Sequence, residues 1–291
     1  MLGGFLHAVI AAVSFGLIPL LASPLTGTLP TELLLFYRFF LTCLLVCVFV
    51  LCSGEKLAAS RGDIWKLFLL SFLHCSSDIL YFMGIQHMPG GLAATIFYIY
   101  PVIVAVLSVF FLQERLSPIT CMAILLTAAG VAILSLDNTS RPISMRGPML
   151  MLGSALACAC YLVGIARIHL HDMSGFKATF YIFLFGSIFM LIFTVSQGAL
   201  TLPDNKNTYL QLLLLALVTG AISNICTILA IQRIGTTITA ICGSLEPLTA
   251  VCVGVIVFGE PMTIPIAMGI SLIVTAVLMI IPGTPSRTAG K

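Results

Sequence analysis

The chain has 291 residues, 60% of them hydrophobic and 8% charged, with a mean hydropathy of +1.17 and a formal net charge of +3. Soluble domains carry about a quarter charged residues, so this is the composition of an integral membrane protein. The Lys and Arg residues are scattered rather than clustered, which excludes a nucleic-acid surface built on counterion displacement.

A bilayer core of about 30 Å takes roughly 20 apolar residues in a helix. Only helices or closed barrels satisfy every backbone polar group there, and the continuous apolar runs of this chain exclude the barrel. Breaks at polar, glycine and proline clusters predict ten spans, at about 3–22, 31–52, 64–86, 91–112, 118–136, 147–167, 175–197, 208–231, 237–258 and 264–281. The first, in "MLGGFLHAVIAAVSFGLIPLLASP", lacks a positive leading region and reads as a retained helix rather than a cleaved signal. Turns such as "HMPGG" at 87–91 and "RIGTT" at 233–237 are short enough to make their flanking helices antiparallel neighbours. If the N-terminus is inside, nine Lys and Arg fall in cytoplasmic loops and three in outer loops, leaving Arg38 within a span. That bias predicts a cell-membrane protein with both termini cytoplasmic.

An ionisable side chain in mid-membrane costs about 2.5–3.5 kcal/mol on insertion scales, so it faces a cavity or a partner. In chain order, the first span is interrupted at "SFGLIP" (14–19), which marks Phe15 as a gate or cavity residue. Arg38 in the second span needs an acceptor, with Asp78, Glu246 or an anionic substrate group as the options. In the third span His74, Asp78 and Tyr81 stand on one helix face and form a candidate cavity wall, with His74 and Asp78 as candidates for proton coupling. The fourth span offers Tyr98, Tyr100 and Pro101; the sixth offers Tyr161 in "CYLVG" at 160–164; the eighth offers Asn224. In the ninth, Pro247 is expected to leave the Gly243 carbonyl without its helical partner, opening a hinge beside Glu246. Glu114 and Glu260 close their helices at the membrane edge, ahead of the capping hydroxyls Ser117 and Thr263, and read as structural.

The ten cysteines lie in or beside apolar runs and behave as packing residues. Neither "CAC" at 158–160 nor "HLHD" at 169–172 completes a ligand set, so no metal and no cofactor is expected. No HExxH, nucleophile elbow or paired-acid motif points to an enzyme.

A shift of 146 lays residues 85–114 on 231–260, bringing Pro101 onto Pro247 and Glu114 onto Glu260, and a shift near 144 lays "FYRF" (36–39) on "FYIF" (180–183). Each half therefore holds five spans. Because five is odd, the second half must cross the membrane in the opposite sense. The predicted fold is all-α integral membrane, ten transmembrane helices as two inverted five-helix repeats, 1–140 and 141–284, with a short cytoplasmic tail at 285–291. Such repeats place a substrate site near the midplane at their interface. The stretches "YPVIVAVLSVFFLQERLS" (100–117) and "LEPLTAVCVGVIVFGEPMT" (245–263) resemble the repeat ends of EamA-type members of the drug/metabolite transporter superfamily. The resemblance implies secondary transport of a small metabolite, such as an amino acid or nucleoside, by alternating access through a central cavity. The substrate-binding candidates are then Arg38, Asp78, Tyr81, Tyr98, Tyr100, Asn224 and Glu246, with Phe15, Tyr161, Pro101 and Pro247 as gate or cavity residues. The expected partners are a small-molecule substrate and the lipid bilayer, and homodimerisation is left open. The alternative reading is an ion channel or another bundle without transport function.

Overall fold

The computed structural model describes residues 2–26, 28–55, 57–88, 90–114, 116–134, 145–167, 173–203, 205–259 and 261–283. Among these residues every regular element is helical. Eight helices are long and apolar enough to cross a bilayer: α1 (Leu2–Leu25), α2 (Thr31–Cys52), α3 (Arg61–Ile85), α4 (Ala93–Leu112), α6 (Arg146–Arg167), α7 (Gly175–Ser196), α8 (Lys206–Ile234) and α9 (Thr236–Val257). Two shorter apolar helices, α5 (Pro118–Ile133) and α10 (Ile264–Ile280), complete the set. Glu260 and the "HLHD" stretch at 169–172 lie outside the described residues.

The main packing partners are α5 with α10, α3 with α6, α2 with α7 and α1 with α8, followed by α4 with α6 and α1 with α9. Renumbering each helix by five exchanges these pairs among themselves: α3–α6 becomes α8–α1, and α4–α6 becomes α9–α1. The same correspondence reaches the helix ends. α2 ends on Ser53 and Gly54, and α7 on Gln197 and Gly198. The two glycines have φ of 69° and 66°, and the amides after them reach back to Val50 at 3.2 Å and Thr194 at 3.1 Å. A left-handed glycine lets the last carbonyls of a helix find donors, so both halves end this helix by the same device.

Gln113 breaks the rule that left-handed positions go to glycine. Its φ of 55° and ψ of 30° follow α4, where the second half has Gly259 at φ 70°. A side chain in this region costs roughly 1–2 kcal/mol, and glycine loses about 0.5–1 kcal/mol of chain entropy in return. Gln113→Gly is therefore expected to raise stability by up to about 1 kcal/mol. Thermal unfolding in detergent checks this, and a lowered midpoint would contradict it.

Three spans are interrupted where the sequence places Gly or Pro. α1 breaks at Leu17, after Gly16; α4 breaks at Tyr98 and Ile99, ahead of Pro101; α9 breaks at Gly243 and Ser244, ahead of Pro247. Proline removes a donor and pushes away the carbonyl four residues back. The expectation of an orphaned Gly243 carbonyl needs correction, because the Glu246 amide takes it at 2.9 Å in a tighter three-residue turn. On α4 the Val102 amide takes the Ile99 carbonyl at 3.0 Å in the same manner. At "CYLVG" (160–164), the place in the second half that matches "SFGLIP", there is no such break: α6 runs unbroken from Arg146 to Arg167.

α8 carries a feature with no proline to announce it, a π-helical stretch over Ala216–Ile222. Such a bulge loosens the regular hydrogen-bond ladder. The Thr42 hydroxyl of α2 donates to the Ala216 carbonyl at 3.0 Å, and a Cβ on Gly220 would run into the same threonine. Thr42→Val keeps the shape and removes the donor, so we expect a loss of about 1 kcal/mol, the scale of interhelical hydrogen bonds in membranes. An unchanged unfolding midpoint would mean that the bulge satisfies itself.

Candidate functional site

The polar residues of the mid-membrane converge between the helices of the two halves. Two cavities meet there. The larger, about 340 Å³, lies between the second half of α1, the first half of α2 and the later turns of α3, toward the face that carries the α1–α2 and α3–α4 turns. The smaller, about 100 Å³, lies deeper, among α1, α3, α6, α8 and the start of α9. Phe15, Ser77, Asp78, Phe97 and Glu246 line both.

Arg38 reaches the seam from α2, where it is 4% exposed. Its Nη2 donates to Asp78 Oδ2 at 2.7 Å, which selects one of the acceptors that the sequence left open. The guanidinium stands 5.5 Å from the Phe15 ring centroid and 5.4 Å from that of Phe39, within cation–π reach of both. Its Nε is buried with no hydrogen-bond partner. The pair thus joins α2 to α3 in surroundings where water does little to screen it.

One helical turn before Asp78, His74 packs among rings, 4.7 Å from Tyr161, 5.3 Å from Phe39 and 5.8 Å from Phe183. The two residues share a face, but the carboxylate is directed to Arg38. Ser77 and Ser154 exchange hydrogen bonds between α3 and α6, each hydroxyl donating to the other's carbonyl at 3.0 and 2.7 Å. This pins the wall that carries Asp78.

In the second half the position matching Asp78 holds Asn224, and its environment is different. Asn224 Nδ2 donates to the Tyr161 hydroxyl at 2.8 Å, and its Oδ1 accepts from Thr179 at 3.2 Å. Tyr161 is 3% exposed and bridges α6 to α8 while stacking on His74. The first half therefore carries a charge pair at this level and the second a neutral amide network.

The interrupted helices α4 and α9 bring the remaining candidates in. Tyr98 donates to Glu246 Oε2 at 3.2 Å, and Tyr100 donates to the Ala240 carbonyl at 3.4 Å across the α9 break. Tyr81 meets Phe97 edge-on at 5.0 Å, and Phe97 in turn meets Tyr98 at 5.3 Å. Pro101 and Pro247 themselves stand two and three residues beyond the breaks and shape them. Phe97 is a lining residue that reading by charge passed over, although the quartet "FYIY" at 97–100 marks an aromatic cluster. Gly16 permits the close crossing of α1 and α9, since a Cβ there would stand 2.5 Å from the Glu246 carbonyl oxygen.

Toward the opposite face, hydrogen bonds link the two halves. Thr237 at the start of α9 donates to Glu114 Oε2 at 2.8 Å. Arg167 donates to the Phe111 carbonyl at 2.9 Å, Tyr181 to the Leu57 carbonyl at 2.6 Å, and Lys177 to the Ala58 carbonyl. Ser117, the capping hydroxyl expected after Glu114, accepts from the Thr120 amide at 3.1 Å, and the glutamate in addition links the two halves.

Comparison with known proteins agrees with this architecture. The model of the EamA-like transporter family matches the chain twice, at residues 2–136 and 145–281. The chain belongs to the EamA-like transporter family. It is thus a multi-pass integral membrane protein of a transporter family with an internal repeat. Relatives include the Bacillus subtilis (strain 168) transporters YvbV, 26% identical over 75% of this chain and 72% of its own, and YetK, 21% identical over 83% and 76%. The UDP-galactose transporter of Schizosaccharomyces pombe is 27% identical over 37% of this chain and 31% of its own length. A solved crystal structure superposes with a TM-score of 0.85 over 97% of each chain at 16% identity, a likeness of fold alone.

Proposed function

We propose that this EamA-family protein is a secondary transporter of a small metabolite that binds between two inverted five-helix units and reaches either face by alternating access. The single observation that carries the reading is the pair of cavities at the seam, joined through Asp78, Phe97 and Glu246 and walled by helices of both halves. A volume of about 340 Å³ falls at the lower end of small-molecule pockets. Exchange of the helix pairs under renumbering by five supports ten spans, with units at 1–140 and 141–284 related by a pseudo-two-fold axis. The bias of Lys and Arg supports both termini being cytoplasmic, in which case the larger cavity opens outward and the Glu114–Thr237 link closes the inner face. Arg38, Asp78, Tyr81, Tyr98 and Glu246 are the substrate-contacting residues in this reading, with Tyr100, Tyr161 and Asn224 around the deeper cavity. Phe15 and the breaks before Pro101 and Pro247 form the moving constriction, and His74 with Asp78 is the candidate proton path.

The substrate named for the Schizosaccharomyces pombe relative does not carry over. A nucleoside diphosphate sugar brings two phosphate charges, whereas the arginine at this cavity is already paired with Asp78. The test is reconstitution of the purified chain in liposomes loaded with amino acids and nucleosides. Saturable counterflow absent from empty liposomes is expected. Failure of every compound to move, with or without a proton gradient, would reject transport.

A further inference from the structure

The ionisable groups around the two cavities do not pair off one to one. Arg38 and Asp78 cancel at 2.7 Å. His74 stacks on Tyr161 and Phe39 and has no ion-pair partner among the described residues. That leaves Glu246, whose carboxylate takes a 3.2 Å hydrogen bond from Tyr98 and has no ion-pair partner among the described residues. A carboxylate held away from bulk water is costly until a positive charge or a donor set compensates it. Here the walls around it are aromatic: Phe15, Tyr81, Phe97 and Tyr98 line the larger cavity with Glu246. Ring faces attract ammonium groups and offer anions little.

Resting on the transport reading above, we infer that the cargo carries a positively charged amine, seated on Glu246 within this aromatic wall. An anionic cargo finds its natural partner, the Arg38 guanidinium, already paired through Nη2 with Asp78. A neutral cargo leaves Glu246 uncompensated. The site is therefore selective by charge before it is selective by shape.

The experiment uses the full chain in liposomes at pH 7.5 and compounds that differ in charge but share a ring. Tyramine is the cation, N-acetyltyramine the neutral form, 4-hydroxyphenylacetate the anion and tyrosine the zwitterion, with choline as a cation of different shape. We expect tyramine or choline to be taken up at least tenfold faster than the neutral and anionic compounds and faster than tyrosine. Glu246→Gln should lower that uptake about tenfold or more, with Glu246→Asp retaining part of it, while both variants unfold in detergent within a few degrees of the parent. Preference for 4-hydroxyphenylacetate or tyrosine, no movement of either cation, or unchanged cation uptake by a folded Glu246→Gln protein would each overturn the charge assignment. Counterflow of amino acids or nucleosides is scored separately, so a transporter that rejects cations is distinguished from a protein that transports nothing.

Discussion

Replacing Arg38 by methionine is expected to destabilise the protein by about 3–5 kcal/mol, the cost of leaving one member of a buried ion pair without its partner. Arg38 is 4% exposed and Asp78 accepts its only described ion pair from it, so removal of the guanidinium strands a carboxylate between Ser77 and the rings of the seam. Methionine fills much of the same volume against Phe15 and Phe39, which keeps the loss of packing small. The diagnostic is the double variant. Arg38→Met combined with Asp78→Leu removes both charges together, and buried pairs replaced by apolar residues are often neutral in stability. Most of the loss should therefore return, giving a coupling energy well above the roughly 0.3–0.5 kcal/mol scatter of independent sites. Thermal unfolding in lipid-supplemented detergent reads it. A double variant as unstable as the sum of the singles would mean that the two side chains do not depend on each other. Transport by the refolded double variant should stay lost if Asp78 touches cargo and return if the pair is structural alone, so stability and transport together separate the two roles.

Gly16→Leu is expected to reduce transport about a hundredfold, the penalty associated with displacing reacting or binding groups by an ångström. Gly16 follows Phe15 at the α1 break, and α9 crosses directly against it. An added Cβ meets the Glu246 carbonyl oxygen at 2.5 Å and the Thr249 Cβ at 2.6 Å, one of them backbone and the other anchored on it, so relief requires the helices to part. Overpacking of this kind costs about 1–3 kcal/mol, a loss a folded protein can bear while Glu246 moves off its partner Tyr98. Gly16→Ala should fall between parent and leucine. Full activity in the leucine variant would show that α1 and α9 need not approach closely in any working state.

The spans were legible because a helix in lipid advertises itself by length and hydropathy, and the breaks in α1, α4 and α9 because Gly16, Pro101 and Pro247 have local effects. The π turn of α8 was not. "ALVTGAI" carries no breaker that an ordinary helix would refuse, and the turn finds its compensation in Thr42, 174 residues away. Long-range partners account for the other gaps. The sequence placed Asp78, Glu246 and a substrate anion before Arg38 as equal options, and the tertiary approach of α2 to α3 selects Asp78. It matched Asn224 to Asp78 by register but gave no sign that Tyr161 and Thr179 would hold the amide. "CYLVG" shows the limit of matching halves by position: Gly164 without a nearby proline leaves α6 continuous, whereas "SFGLIP" in α1 breaks. For Glu114 the local reading as a turn residue missed the hydroxyl of Thr237, which reaches it only because the two halves meet.

The seam between two oppositely inserted halves is the claim on which the site depends, and the matched ends of α2 and α7 offer its most direct test. Ser53 and Gln197 are equivalent residues, each at the end of its helix and exposed. Single cysteines at these two positions, in a chain whose ten native cysteines have been replaced, would be treated on intact cells with a membrane-impermeant maleimide. Position 197 should react at once and position 53 only after the membrane is permeabilised. Reaction of both from the same side would contradict the inverted arrangement and, with it, a cavity built between the halves.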